Sequence, residues 1–237
     1  MRLSIVKNVG PLVLAVVGIA SRVDAGIITV PPGLAPGSQY RLAFETADTY
    51  NAESSSIGVY NSEVNTEADA VAALAALGTT WLVIGSTDAV FASDNIGFQA
   101  GVPIYDLAGN LIANDAGLGP GGLFDSFLMN PIRVDETGGL NFHTWVWTGS
   151  IWSGMAAGGN ALGDPKPFYG ESIATGQEWI TYQYLGAPTN TEPFTLYGIS
   201  GTLLVPGSTT PEPATTGMVI AAGVLMFFAG RRNRWPL

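Results

Sequence analysis

The side chains able to do chemistry are few and scattered. His143 is the only histidine, and cysteine is absent. Without cysteine there is no disulfide, no thiolate zinc site and no thiol nucleophile. His143, beside Trp145 and Trp147, reads as a general base, a metal ligand, or a hydrogen-bonded structural residue. A hydrolytic triad also needs an activated serine. Ser86, Ser150 and Ser200 lie among small residues, but none stands in G-x-S-x-G. Carboxylate pairs cleave glycosides without histidine. Asp135-Glu136 is the adjacent pair here. On a strand its two side chains would face opposite sides, and in a turn they would be solvating charges. Calcium has hard oxygen donors to choose from in Asp88, Asp94, Asn95, Asp115, Asp125, Asp135 and Glu136. No D-x-D-x-D-G loop exists, so a calcium site would have to be assembled across loops. No phosphate loop, Rossmann fingerprint or zinc spacing points to another cofactor.

Aromatic side chains offer a different chemistry, stacking on sugar rings. Alternation puts Trp145 and Trp147 on one strand face, which reads as core, where aromatic burial contributes most. Trp179 belongs with them among the aromatic strands. Trp152 lies past the strand end near Gly154 and is the candidate for exposure. The candidate ligand-binding residues are therefore Trp152, Asp135 and Glu136, and no catalytic residue is assigned.

Charge narrows the partners. Between residues 26 and 210 three basic residues (Arg41, Arg133, Lys166) stand against 17 acidic ones, a balance of −14. A phosphate backbone would be repelled, so nucleic acid is excluded as a partner. The remaining basic residues gather at the two ends. Arg2 and Lys7 precede a short apolar run at 11–20, and Val23-Asp24-Ala25 presents small residues at a peptidase site. Residues 1–25 read as a secretory signal peptide, removed by signal peptidase. At the other end, Pro211-Glu212-Pro213 is stiff and extended. Residues 214–230 carry no charge, and Arg231, Arg232 and Arg234 follow. An uncharged run of about 17 residues is a short transmembrane span, and the arginines keep its far end cytoplasmic.

This order of parts resembles the PEP-CTERM sorting signal of Gram-negative bacteria over residues 208–234. The resemblance implies recognition by an exosortase, with Pro211, Glu212, Pro213, Arg231, Arg232 and Arg234 as sorting residues. It also implies a transient inner-membrane anchor, cleavage near the motif, and release to the cell surface or an exopolysaccharide matrix.

Between the two ends, residues 26–207 must form the exported domain. Its 12% charged and 10% aromatic content, with 31 Gly and 15 Pro in the chain, predicts a real core, many turns and few long helices. Residues 40–46 alternate as a strand, and the Ser-rich stretch 48–61 reads as loop. The Ala-rich stretch 65–77 predicts the main helix, capped by Asn65 or Thr66 and stopped by Gly78. Strands are predicted at 80–86, 102–107, 111–113, 144–149, 178–184 and 195–205. A hairpin turn falls at 108–110, and a bend at Gly198 or Gly201. The glycine-rich stretches 117–122 and 153–170 read as surface loops.

One main helix with several short antiparallel strands makes an α+β domain, with an all-β sandwich as the alternative. The series of Trp81 with Gly85-Ser86-Thr87, then Asp135-Glu136-Thr137-Gly138, then Val146-Trp147-Thr148-Gly149 is similar to bacterial relatives of the endostatin and C-type-lectin-like fold. That resemblance implies a scaffold only, because the calcium-dependent sugar motifs of true C-type lectins are absent. The functional expectation is a non-catalytic surface or matrix protein that binds polysaccharide or protein weakly. The alternative is a secreted glycan-active hydrolase using loop carboxylates.

Overall fold

The computed structural model describes residues 26–142, 144–182 and 188–207. The signal peptide expected at 1–25, His143 and the sorting signal expected at 208–234 lie outside the described residues. In chain order the elements are β1 (Gln39–Glu45), α1 (Ile57–Ala70), α2 (Ala72–Ala75), β2 (Trp81–Val83), α3 (Ala92–Ile96), β3 (Ile104–Asp106), β4 (Leu111–Ala113), β5 (Trp145–Trp147), β6 (Tyr169–Glu171), a 3-10 turn (Gln177–Trp179), β7 (Thr195–Ser200) and β8 (Leu203–Leu204).

The first and last long strands lie side by side at the centre. Only Gln39 of β1 is exposed. Its alternation sends Tyr40, Leu42 and Phe44 into one apolar cluster and Ala43 into a second. A strand buried on both faces suits a sheet covered on both sides. β7 runs antiparallel to it, with Ala43 opposite Ile199, Phe44 opposite Gly198 and Glu45 opposite Tyr197. Gly198 is required there, because a Cβ would lie 2.7 Å from the Phe44 ring. The register slips by one residue before Leu203 pairs with Tyr40. That slip is a bulge at Gly201-Thr202, where one of the two predicted bends falls. Outside β1, β3 adds in parallel and turns back through β4 as the expected hairpin. Outside β7, β2 adds antiparallel and β5 in parallel, with β6 beyond β5.

α1 covers one face of this sheet. Tyr60, Val64 and Ala68 recur every four residues and are its buried side chains. They join Phe44 and Trp81, whose rings meet edge-on at 5.1 Å. Asn61 and Asn65, one turn apart, accept hydrogen bonds from the backbone of β2 through their Oδ1 atoms, at 2.9 Å from Val83 N and 3.1 Å from Trp81 N. The helix thereby satisfies donors that a short edge strand would leave open. Loops cover the other face, packing Leu123, Phe124, Leu128, Ile132 and Trp179 against Tyr197 and Ile199.

The expected α+β fold with its lectin-like and endostatin-like layout is corrected by this structure. The described residues are mostly sheet and about 15% helical, and the sheet is mixed and curled. Parallel pairs β1–β3 and β5–β7 stand where antiparallel neighbours were expected. The sandwich alternative is also set aside, since one hydrogen-bonded path joins the strands. Three local differences account for much of the change. The helix begins at Ile57, so the last five residues of the stretch read as loop (57–61) are helix, and Asn65 sits mid-helix instead of capping it. Val71 leaves helical geometry at φ −99 and ψ 112 and breaks the expected helix in two, so residues 65–70 belong to α1 and 72–75 to α2. The predicted strand at 178–184 opens instead as the 3-10 turn at Gln177–Trp179, which buries Trp179. Among the described residues no helix is long and apolar enough to cross a membrane. The span expected at 214–230 lies outside them.

Candidate functional site

The carboxylates singled out by sequence turn inward. Asp135 is 7% exposed and Glu136 3% exposed. Asp135 Oδ1 accepts hydrogen bonds from Thr137 N (2.9 Å), Thr137 Oγ1 (2.7 Å) and Gly139 N (2.8 Å), which closes the turn at 135–139. Glu136 Oε2 accepts from Ala47 N at 2.9 Å. Burial pushes the Glu136 carboxyl up to about 7, with smaller contributions from the charges of Glu67 and Asp135. Glu45, missed by the sequence reading, is fully buried beside them. It pairs with Asp135 in a parallel bridge. Its Oε1 accepts from Thr195 Oγ1 at 2.7 Å and from Thr144 Oγ1. Burial raises the Glu45 carboxyl above its usual range against those two hydroxyls. These acids hold loops together, and Trp152 does not join them.

The other candidates divide in the same way. Ser86 and Ser150 are fully buried and share a 2.7 Å hydrogen bond. Ser200 Oγ accepts from Leu42 N and donates to Gly201 O. Trp147 is buried, stacked on Phe194 at 4.4 Å, and its Nε1 donates to the Tyr50 and Glu192 carbonyls. Trp145 packs edge-on against Tyr169 at 5.3 Å. Among the described residues no three acidic or histidine side chains gather where a metal could sit. Asn95 locks α1 to β2 through Asn61 and the Val83 carbonyl. Asp115 and Asp125 brace a loop instead.

That loop builds a concave site. Asn114 N donates to Gly121 O, Leu123 N to Asp115 O and Phe124 N to Gly117 O, so residues 114–124 fold back on themselves. Gly122 makes the closure possible, since a Cβ would fall 2.4 Å from the Gly117 carbonyl oxygen. Asp115 Oδ1 accepts from Gly117 N (2.8 Å) and Asp125 Oδ2 from Gly121 N (2.8 Å). Asp115 Oδ2 reaches Gly101 N at 3.2 Å and ties in the segment after α3. Between the two segments lies a cavity of about 340 Å³, lined by Ser93, Phe98, Asp115, Ala116, Leu118 and Phe124 with two glycines. Phe98 and Leu118 at its mouth are 61% and 58% exposed, while Phe124 at its floor is fully buried.

Trp152 is tied to this site through its own turn. Ile151 N donates to Met155 O, and Ser93 N to Gly154 O. Gly154 lies flat on the Phe124 ring, where a Cβ would approach to 2.7 Å. Trp152 and Met155 are 42% and 46% exposed. The sequence reading reached Trp152 but not Phe98, Leu118 or Phe124. The signal available was a glycine loop interrupted by large apolar residues that no helical or strand period explains. No protein-family model and no curated protein matches this sequence.

Proposed function

We propose that this chain is an exported, exosortase-sorted protein of the cell surface or extracellular matrix of a Gram-negative bacterium, and that it works by binding instead of catalysis. The observation that supports binding is the cavity at 93–124, whose exposed Phe98 and Leu118 stand over a buried aromatic floor. Concave, mostly apolar sites with few polar groups are where proteins take ligands. Exposed Trp152, carried on a turn that packs against the same floor, extends the contact surface toward a protein or exopolysaccharide partner. Against catalysis stand the inward, hydrogen-bonded positions of Asp135, Glu136, Ser86 and Ser150.

The address rests on the order of residues 211–234, with signal peptidase and exosortase as processing partners and the inner membrane as a transient anchor. Two measurements test the proposal. Mass spectrometry of the protein from strains with and without the exosortase is expected to show loss of the tail only in the former. Identical masses in both would remove the sorting part. Retention on the producing strain's purified matrix is expected to fall when Phe98→Ala and Trp152→Ala are combined. Unchanged retention of a folded double variant would remove the binding part.

A further inference from the structure

We propose that the cavity between Phe98 and Phe124 takes a small organic cation, an ammonium group carried on an apolar body. The inference rests on the reading of this cavity as the binding site and adds the class of ligand. Its walls are two phenyl rings, Ala116 and Leu118, which suit a hydrocarbon body. Phenyl rings also attract cations through the negative face of the π system. Asp115 is the one charged side chain in the lining, and Ser93 the other polar one. A Cβ placed on Gly117 would lie 2.7 Å from Phe98 Cε2 and 2.9 Å from Asp115 Oδ1. An aromatic ring and a carboxylate oxygen therefore flank a single point of the wall.

The surroundings select the same charge. Asp94 follows Ser93, Asp125 follows Phe124, and among the described residues no lysine or arginine lines the cavity. Among the described residues Arg41 is the basic side chain that reaches the segment before Phe98. It is 2% exposed, with Nη1 on the Gly97 carbonyl at 3.2 Å and Nε on the Ser200 carbonyl at 2.7 Å. Those carbonyl dipoles face its charge. Beyond the cavity, 17 acids against three bases between residues 26 and 210 draw cations toward the domain and repel anions. A neutral sugar enclosed in the cavity would leave most of its hydroxyls unpaired against one carboxylate and one serine, so a polysaccharide partner is left to the exposed rim of Phe98 and Trp152.

The test is calorimetric titration of the full chain with three ligands of one shape: phenethylammonium, 2-phenylethanol and 3-phenylpropionate. The ammonium is expected to bind at least about tenfold tighter than the alcohol, and the carboxylate more weakly than either. Added salt is expected to weaken the ammonium and leave the alcohol unchanged. Asp115→Asn is expected to reduce the ammonium to the affinity of the alcohol. Equal affinities for ammonium and alcohol, or tighter binding of the carboxylate, would overturn the cation assignment while leaving the cavity a binding site. Binding of none of the three, or binding unaffected by Phe98→Ala, would overturn the site itself. The wild-type ligand series and its salt dependence decide the question even if Asp115→Asn unfolds.

Discussion

Replacing Glu136 by glutamine should change how stability depends on pH. Glu136 is 3% exposed, and its carboxylate accepts the Ala47 amide at 2.9 Å. Burial raises its pKa from 4.5 to about 7. A carboxyl raised in the folded state holds its proton more tightly folded than unfolded. The stability it contributes is therefore fully present below pH 4.5 and is lost as pH rises through about 7. At ~1.4 kcal/mol per pH unit, that span corresponds to ~3 kcal/mol of stability lost by pH 8, which solvent screening reduces to about 2. Glutamine keeps an acceptor for Ala47 and never ionises. Glu136→Gln should thus match the wild type near pH 4.5 and exceed it by ~2 kcal/mol at pH 8. Glu63 is also raised to about 7, but it titrates in both proteins and cancels in the difference. Urea unfolding of the full chain, followed by tryptophan fluorescence from pH 4.5 to 8, reads this difference directly. A gap between variant and wild type that stays constant within ~0.5 kcal/mol, or grows toward acid, would refute the reasoning.

Other substitutions probe the frame and the site. Gly149 has φ 57, and a Cβ would lie 2.3 Å from Leu162 N and 2.4 Å from Ser86 O. Gly149→Ala should cost ~3 kcal/mol or more, seen as a fall in the urea midpoint with unchanged slope. Asn61→Ala removes the acceptor for Val83 N and one side of the Asn61–Asn95 pair, and should cost ~2–3 kcal/mol in the same assay. Trp152→Ala, at a side chain 42% exposed, should leave stability within ~0.5 kcal/mol while reducing matrix retention.

Burial explains where local reading succeeded and where it did not. β1 and the β3–β4 hairpin carry their own signals, alternation in one and Gly109-Asn110 in the other, and both form as expected. The aromatic strand β5 buries Trp147 and half-buries Trp145, in keeping with a core face. α1 carries a poor local signal in its first half, since Gly58 and Val59 are weak helix residues and Ser56 makes no side-chain cap. It forms because Tyr60, Val64 and Ala68 fill the space over Phe44 and Trp81. The Ala-rich run supplies the second half of α1, with Ala68 buried, and continues past the break at Val71 as α2, where only Leu74 is buried.

The sequence alone determined the acidic character of the domain, the absence of thiol chemistry, and the order of apolar, proline and basic segments at the ends, because these depend on composition and neighbours along the chain. Only the tertiary structure decided that Asp135 and Glu136 face inward, that β1 lies between β3 and β7, and that Phe98 meets Leu118 and Phe124 around a cavity. The physical reason is distance along the chain. The β1–β7 pair joins residues about 150 apart, and the cavity closes through backbone hydrogen bonds and glycine contacts between separate loops. Such contacts leave no period in the sequence for a local reading to find.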